Sequence, residues 1–295
     1  MTQQPLPVAR RLHAGRWVAA VVIGALTAIA LVSIATNPNV GWSTVGKYLF
    51  AEVTLRGVGV TIALTVVAMV IGTLGGIGIA VMRISPNPVL SVVARGFIWF
   101  FRGTPVLVQI IFWGYLGALY PEITLRIPFT EITLFTSPTS EVITPLIAAI
   151  LALGLNEMAY AAEIVRGGIN AVDRGQTEAA LASGLTPSQT MRKIVLPQAM
   201  RVIIPPMGNE VLTMLKTTAL VSVIAGQDLM TNMQRIYSQT YEVIPLLVVA
   251  SIWYLALTSV LSIPQAWLER RYGRGFGKQS SGLRRLFLPG GRDAS

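Results

Sequence analysis

Two runs of polar residues stand inside segments that are otherwise apolar. Asn156, Tyr160 and Glu163 fall at i, i+4 and i+7, one face of a helix, with Glu157 beside them. Asn209, Thr213 and Lys216 repeat the spacing, with Glu210 and Thr217 alongside. Ionisable side chains at membrane depth are costly and usually face a cavity or a partner. Carboxylates can meet an ammonium group, while Lys216 and the hydroxyls can meet a carboxylate, so the two stripes together suit an amino acid passing between them. A second reading stays open: a buried Glu–Lys pair plus amide hydrogen bonds that hold helices together. Glu163 and Arg166, three residues apart, read as a structural or gating pair.

Other chemistries find little support. Cysteine is absent and His13 is the single histidine, so thiolate chemistry is excluded and a metal site lacks convergent ligands. No catalytic constellation of His, Cys or clustered Asp appears, and the chain does not read as an enzyme. GWSTVGKY, Gly41 to Tyr48, nearly matches a phosphate-binding loop, but Tyr48 stands where a small hydroxyl should hold magnesium.

The elements that must position the stripes are set by composition. Of 295 residues, 53% are hydrophobic and 12% charged, outside the soluble globular range. Apolar runs at about 17–36, 58–82, 103–119, 145–165, 202–226 and 244–267 each approach the length of a membrane span. With the N-terminus inside, 18 of 23 basic residues lie in inner segments and four in outer ones. That bias places both termini in the cytoplasm and assigns the net charge of +10 to topology and anionic lipid, not to nucleic acid. The run from Trp17 to Ala35 is longer than a signal-peptide core and reads as an uncleaved anchor, although Ser33-Ile34-Ala35 has the form of a cleavage site.

In the second span, Gly72, Gly75, Gly76 and Gly78 offer a small-residue face for close helix packing. Residues 83–102 form a turn and an amphipathic approach to the third span. Residues 120–144 are an external insertion, mildly acidic through Glu122, Glu131 and Glu141. The expected organisation is a cytoplasmic tail (1–16), an extra N-terminal span with its loop (17–53), the main transmembrane domain (54–268) and a basic, disordered cytoplasmic tail (269–295).

Between the two polar stripes lies EAALASGLTPSQTMRKIVLPQAM, Glu178 to Met200, which reads as a helix, a tight turn and a helix on the cytoplasmic side. EAALAS favours helix, with Glu178 at its N-terminal end, and Gly184 is placed to end it in the left-handed conformation. Thr186, Pro187 and Gln189 make a capping box for the next helix, which Leu196-Pro197 is expected to stop. A narrow helix on a loop tip can enter a groove. A DNA-reading helix-turn-helix is unattractive on a short loop between spans.

Glu178-Ala179-Ala180, three residues, Gly184, nine residues, Ile194, one residue, Leu196-Pro197 resembles the EAA loop of membrane subunits of bacterial ABC importers. AYAAEIVRGGI (159–169), GQTEAA (175–180), LPQAMR (196–201), NEVLTMLKTTAL (209–220) and FRGTPVLVQ (101–109) are similar to its polar amino-acid branch. Ala219 and Ser183 depart from the common residues, where Ser and Leu are frequent. The resemblance covers residues 54–268, with the EAA loop at about 175–200.

The resemblance implies an all-α polytopic membrane bundle, a five-helix core plus an extra N-terminal span, with cytoplasmic coupling helices. It implies a permease subunit moving polar amino acids such as glutamate, glutamine or a basic amino acid by alternating access, with an ATP-independent secondary carrier as the alternative. Partners would be cytoplasmic ATPase subunits, which bind the ATP and magnesium, an extracytoplasmic amino-acid-binding protein and a second permease, identical or similar. No cofactor is expected in this chain. Glu178, Ala179, Ala180 and Gly184 would meet the ATPase, and Asn156, Glu157, Tyr160, Glu163, Asn209, Glu210, Thr213, Lys216 and Thr217 would line the path.

Overall fold

The structure is a computed structural model and describes residues 14–130 and 133–272. His13, Glu131 and the basic tail from residue 273 lie outside the described residues, and the reading of that tail as disordered falls there with them.

Almost every element is helical, because in hydrocarbon a helix satisfies its own backbone polar groups. The first span is α1 (Ala14–Thr36), exposed along its length and packed on none of the core. A short α2 (Trp42–Leu49) leads into α3 (Glu52–Ile84), longer than the expected second span. The expected third span at 103–119 is not one rod: its helix α5 (Val106–Gly114) is nine residues long and reaches spanning length only together with α4 (Pro88–Gly103), expected as a cytoplasmic approach, which it meets at a bend of 97°. Pro105 causes the break, since it cannot donate to the turn before it.

A one-turn α6 (Leu116–Leu119) then gives way to the insertion, which is a β-hairpin of β1 (Glu122–Arg126) and β2 (Thr133–Pro138). Leu125 pairs with Phe135 and Thr124 with Thr136, so one face is apolar and the other polar. The base is closed by Thr139, whose N–H donates to the Pro121 carbonyl at 2.9 Å and whose hydroxyl donates to the Tyr120 carbonyl. The turn α7 (Thr139–Val142) leads to α8 (Pro145–Asn170), capped by Thr144.

After the loop helices α9 (Arg174–Ala182) and α10 (Pro187–Thr190) comes α11 (Leu196–Thr217), extended by a 3-10 segment to Ile224. The chain closes with α12 (Leu229–Thr240) and α13 (Val243–Tyr272). Among the described residues four helices, α1, α3, α8 and α13, are long and apolar enough to cross a membrane, and the bent pair makes a fifth. The expected span at 202–226 is helical in α11 but falls short in apolarity, because that helix carries Arg201, Glu210 and Lys216.

The core is centred on α3 and α8, the most extensive helix pair. Glycines on α3 bring the backbones together: a methyl group at Gly76 would lie 2.6 Å from the Ala161 Cβ, and one at Gly75 2.6 Å from the Met158 Cε. Gly72 meets Glu157 in the same way, whereas Gly78 faces open space. The small-residue face is thus real for three of its four glycines. On the other side, Thr61 Oγ1 accepts from the Leu229 N–H at 3.1 Å and Asn232 Nδ2 donates to the Val53 carbonyl at 3.0 Å, fastening α12 to α3. Trp253 Nε1 donates to the Leu49 carbonyl at 2.8 Å and holds α13 against α2.

Candidate functional site

Two regions bring the flagged residues together, one in the bundle and one on the loop between α8 and α11.

In the bundle, a cavity of about 500 Å³ opens between the α4–α5 break, α8 and α11. The break contributes Arg102, Gly103, Thr104, Pro105 and Val106; α8 contributes Leu153, Asn156, Glu157 and Tyr160; α11 contributes Glu210, Thr213, Met214 and Thr217. Six of the nine residues proposed for the path therefore converge on one space. Its volume lies within the range of small-molecule sites, and charged groups of both signs reach it.

Glu157 is 3% exposed, and its Oε1 is buried without a hydrogen-bond partner. Asn156 is tied to the break: Nδ2 donates to the Phe101 carbonyl at 3.0 Å and lies 3.3 Å from Gln109 Oε1. Thr213 and Thr217 turn their hydroxyls back to the carbonyls of Asn209 and Thr213, at 3.1 and 2.9 Å. They keep their lone pairs available to a ligand while the hydroxyl proton is occupied.

Three flagged residues are outside the cavity. Glu163 is held by Arg166 through two bonds of 3.0 and 2.6 Å, and Arg102 approaches it at 3.9 Å. That is the ion pair foreseen from spacing, enlarged by a third member. Asn209 and Lys216 are exposed and do not line the cavity. A one-residue step of 100° separates Lys216 from Thr217, so a single apparent stripe divides between two surfaces. No Glu–Lys pair occurs among the described residues, which removes that version of the structural reading.

The residue that sequence reasoning passed over is Arg102. Its guanidinium stands over the Tyr160 ring, 5.1 Å from the centroid, at the cavity wall. The signal was present in FRGTP, where Gly103 and Pro105 mark a helix break beside the arginine.

On the loop, Asp173 caps α9 by accepting from the Gly175 N–H at 2.7 Å, so the helix begins at Arg174 and not near Glu178. Glu178 is therefore the fifth residue of α9, beyond the reach of an N-terminal charge effect. Gly184 adopts φ +84°, with its N–H donating to the Leu181 carbonyl at 3.0 Å and the Leu185 N–H to the Ala180 carbonyl at 3.1 Å. These are the two bonds of a Schellman cap, and they need the left-handed conformation that glycine adopts cheaply. Thr186 and Gln189 form the expected capping box, with bonds of 3.0 and 3.3 Å.

Leu196-Pro197 does not stop the second helix. The chain runs from α10 through a π turn at Met191–Val195 directly into α11. The Leu196 N–H reaches the Met191 carbonyl, and this wider turn accommodates the proline ring and its missing donor. Glu178, Ala179 and Gly184 are exposed together, whereas Ala180 is only 7% exposed and packs inside the hairpin.

Comparison with known proteins accords with this architecture. Residues 72–274 match the family described as "Binding-protein-dependent transport system inner membrane component". The chain is 46% identical over 277 residues to the arginine transport system permease protein ArgU of Corynebacterium glutamicum, covering 93% of this chain and 86% of that protein. It is 36% identical to the nopaline transport system permease protein NocM of Agrobacterium fabrum, covering 73% of this chain and 87% of that protein. Among solved structures, an amino acid ABC transporter crystallised with histidines is similar at a TM-score of 0.61 and 37% identity, over 74% of this chain and 94% of that one. The MetNI methionine ABC transporter in an inward-facing conformation shares the fold at a TM-score of 0.57 and 20% identity, over 76% and 99%. With the polar cavity inside the bundle and the exposed loop beside it, the match over most of its length makes this chain a member of the binding-protein-dependent transport system inner membrane components.

Proposed function

We propose that the chain is the permease subunit of an ABC importer for basic amino acids. The cavity between the α4–α5 break, α8 and α11 is the translocation path. The observation that carries the substrate class is its charge: Glu157 and Glu210 supply two carboxylates and Arg102 one cation. An α-carboxylate is suited to Arg102, and two ammonium or guanidinium groups are suited to the two acids. The similarity to arginine and nopaline permeases points the same way.

Transport is driven by a separate cytoplasmic ATPase, which binds ATP and magnesium and docks on the exposed face of α9 at Glu178, Ala179 and the Gly184 turn. An extracytoplasmic binding protein delivers substrate, and a second permease completes the pathway. Both termini are then cytoplasmic, and the main domain runs over 54–268 with α1 as an added span. The chain itself is a conduit and performs no chemistry on its cargo.

The test is uptake into proteoliposomes holding the assembled importer, with labelled arginine, lysine, glutamine and glutamate offered separately. Arginine or lysine should accumulate and glutamate should not. Glutamate as the preferred cargo would overturn the assignment of class.

A further inference from the structure

Pro105 interrupts what would otherwise be one helix from α4 into α5. Having no N–H, it leaves the carbonyl of Phe101, four residues earlier, without its helical donor. Within a membrane bundle the protein or a water-filled cavity must supply the partner. Two side-chain amides do so: Gln109 Nε2 and Asn156 Nδ2 each lie 3.0 Å from the Phe101 oxygen.

The same Gln109 nitrogen lies 2.8 Å from Thr104 Oγ1 and 3.2 Å from the Thr104 carbonyl. Its oxygen lies 3.3 Å from Asn156 Nδ2. Gln109 is buried, so these contacts are its surroundings. One turn along α8 from Asn156, Tyr160 carries the Arg102 guanidinium. The backbone on either side of Arg102 is therefore fastened, at Phe101 to α8 and at Thr104 to Gln109.

We propose that Gln109 and Asn156 act together as positioning residues, an amide clamp that fixes the α4–α5 bend and so holds Arg102 and Thr104 in the cavity wall. Neither the family match nor the charge of the cavity assigns this role. In its consequence for import, the proposal rests on the cavity being the substrate path.

The clamp requires a donor at position 109, and that gives it a signature. In Gln109→Glu the ionised carboxylate sets lone pairs against two carbonyl oxygens, whereas the protonated acid regains one donor. The defect should therefore be present at high pH and recede as pH falls. Gln109→Met, of similar size with no donor, should be impaired by the same factor relative to wild type at every pH, since Arg102, Glu157 and Glu210, the charged groups of the same cavity, are common to all three proteins.

Two readouts test this in the assembled importer with its ATPase and binding protein. The first is the half-saturating substrate concentration for uptake against pH. The second is backbone hydrogen exchange across residues 101–109, which does not depend on import. We expect Gln109→Glu to raise half-saturation about tenfold at high pH, the effect of losing roughly one hydrogen bond. Exchange across the segment should quicken under the same conditions, and acid should reverse both changes.

Wild-type values in Gln109→Glu at all pH would overturn the proposal, and so would a defect matching that of Gln109→Met at every pH. Should Gln109→Glu fail to assemble, Asn156→Asp, which leaves the Gln109 donor on Phe101, is read by the same measurements. If Arg102→Met imports with wild-type half-saturation while exchange follows the clamp pattern, the cavity reading fails and the bend clamp stands.

Discussion

Gly72 of α3 lies so close to Glu157 of α8 that a methyl group at position 72 would overlap the Cβ and Cγ of the glutamate. The missing side chain on one helix makes room for the acid on the other, and places that acid between the helix pair at the core and the cavity.

Gly72→Ala should therefore strain the α3–α8 contact. We expect a loss of about 1–3 kcal/mol, the usual cost of an added methylene in a packed interior. Gly78→Ala is the control, since nothing lies within 4 Å of its added methyl. Thermal unfolding of the purified complex in detergent checks both: a lowered midpoint for Gly72→Ala and an unchanged one for Gly78→Ala.

The cavity separates two cations that the sequence could not rank. Arg102 reaches its wall, and Lys216 is exposed and not part of its lining. Arg102→Met should raise the half-saturating concentration for uptake about tenfold or more, as expected for losing a charge-assisted bond to the substrate carboxylate. Lys216→Met should leave that concentration near wild type. Equal effects from both substitutions would contradict the placement.

Glu157 and Glu210 are assigned to the cationic groups of the cargo. Glu157→Gln or Glu210→Gln should weaken competition by arginine more than competition by glutamine, because the amide keeps the shape and removes the charge. Competition assays on the reconstituted importer read the ratio, and an unchanged ratio in both variants would contradict the assignment.

On the loop, Ala179 is exposed and Ala180 packs inward. Ala179→Leu should leave the fold intact and weaken ATPase binding by obstructing the docking face. Ala180→Leu should instead loosen the hairpin, a loss of about 1–3 kcal/mol from overpacking. Co-purification of the ATPase together with limited proteolysis of the loop distinguishes the two. Gly184→Val should lose both, because valine is strained at φ +84°.

The membrane class and the helix periodicities were legible because hydropathy and spacing act locally. The capping box at Thr186 and the turn at Gly184 were legible for the same reason: a few adjacent residues decide them. The start of α9 differs from its expected place because the Asp173 cap sets it, five residues before Glu178, where helix propensity alone points. Pro197 misled because a proline usually ends a helix, and only the π turn before it lets the chain continue. The cavity itself was half legible. Six of the nine expected residues share it, yet which of Lys216 and Thr217 lines it depends on how α11 rotates against α8, and no local pattern fixes that. Arg102 enters the wall only because the chain bends at Pro105, and the hairpin at 122–138 gave too short an alternation to be separated from loop.

The proposed drive by a partner ATPase through the α9 loop is the claim on which every transport prediction above depends. The most direct test is arginine uptake by the complete importer in proteoliposomes, with ATP or ADP supplied on the ATPase side, for wild type and Glu178→Arg. We predict uptake with ATP only, and its loss in Glu178→Arg together with loss of the co-purifying ATPase. Uptake that persists with ADP, or that survives in Glu178→Arg after the ATPase has been lost, would instead mark an ATP-independent carrier and contradict the account.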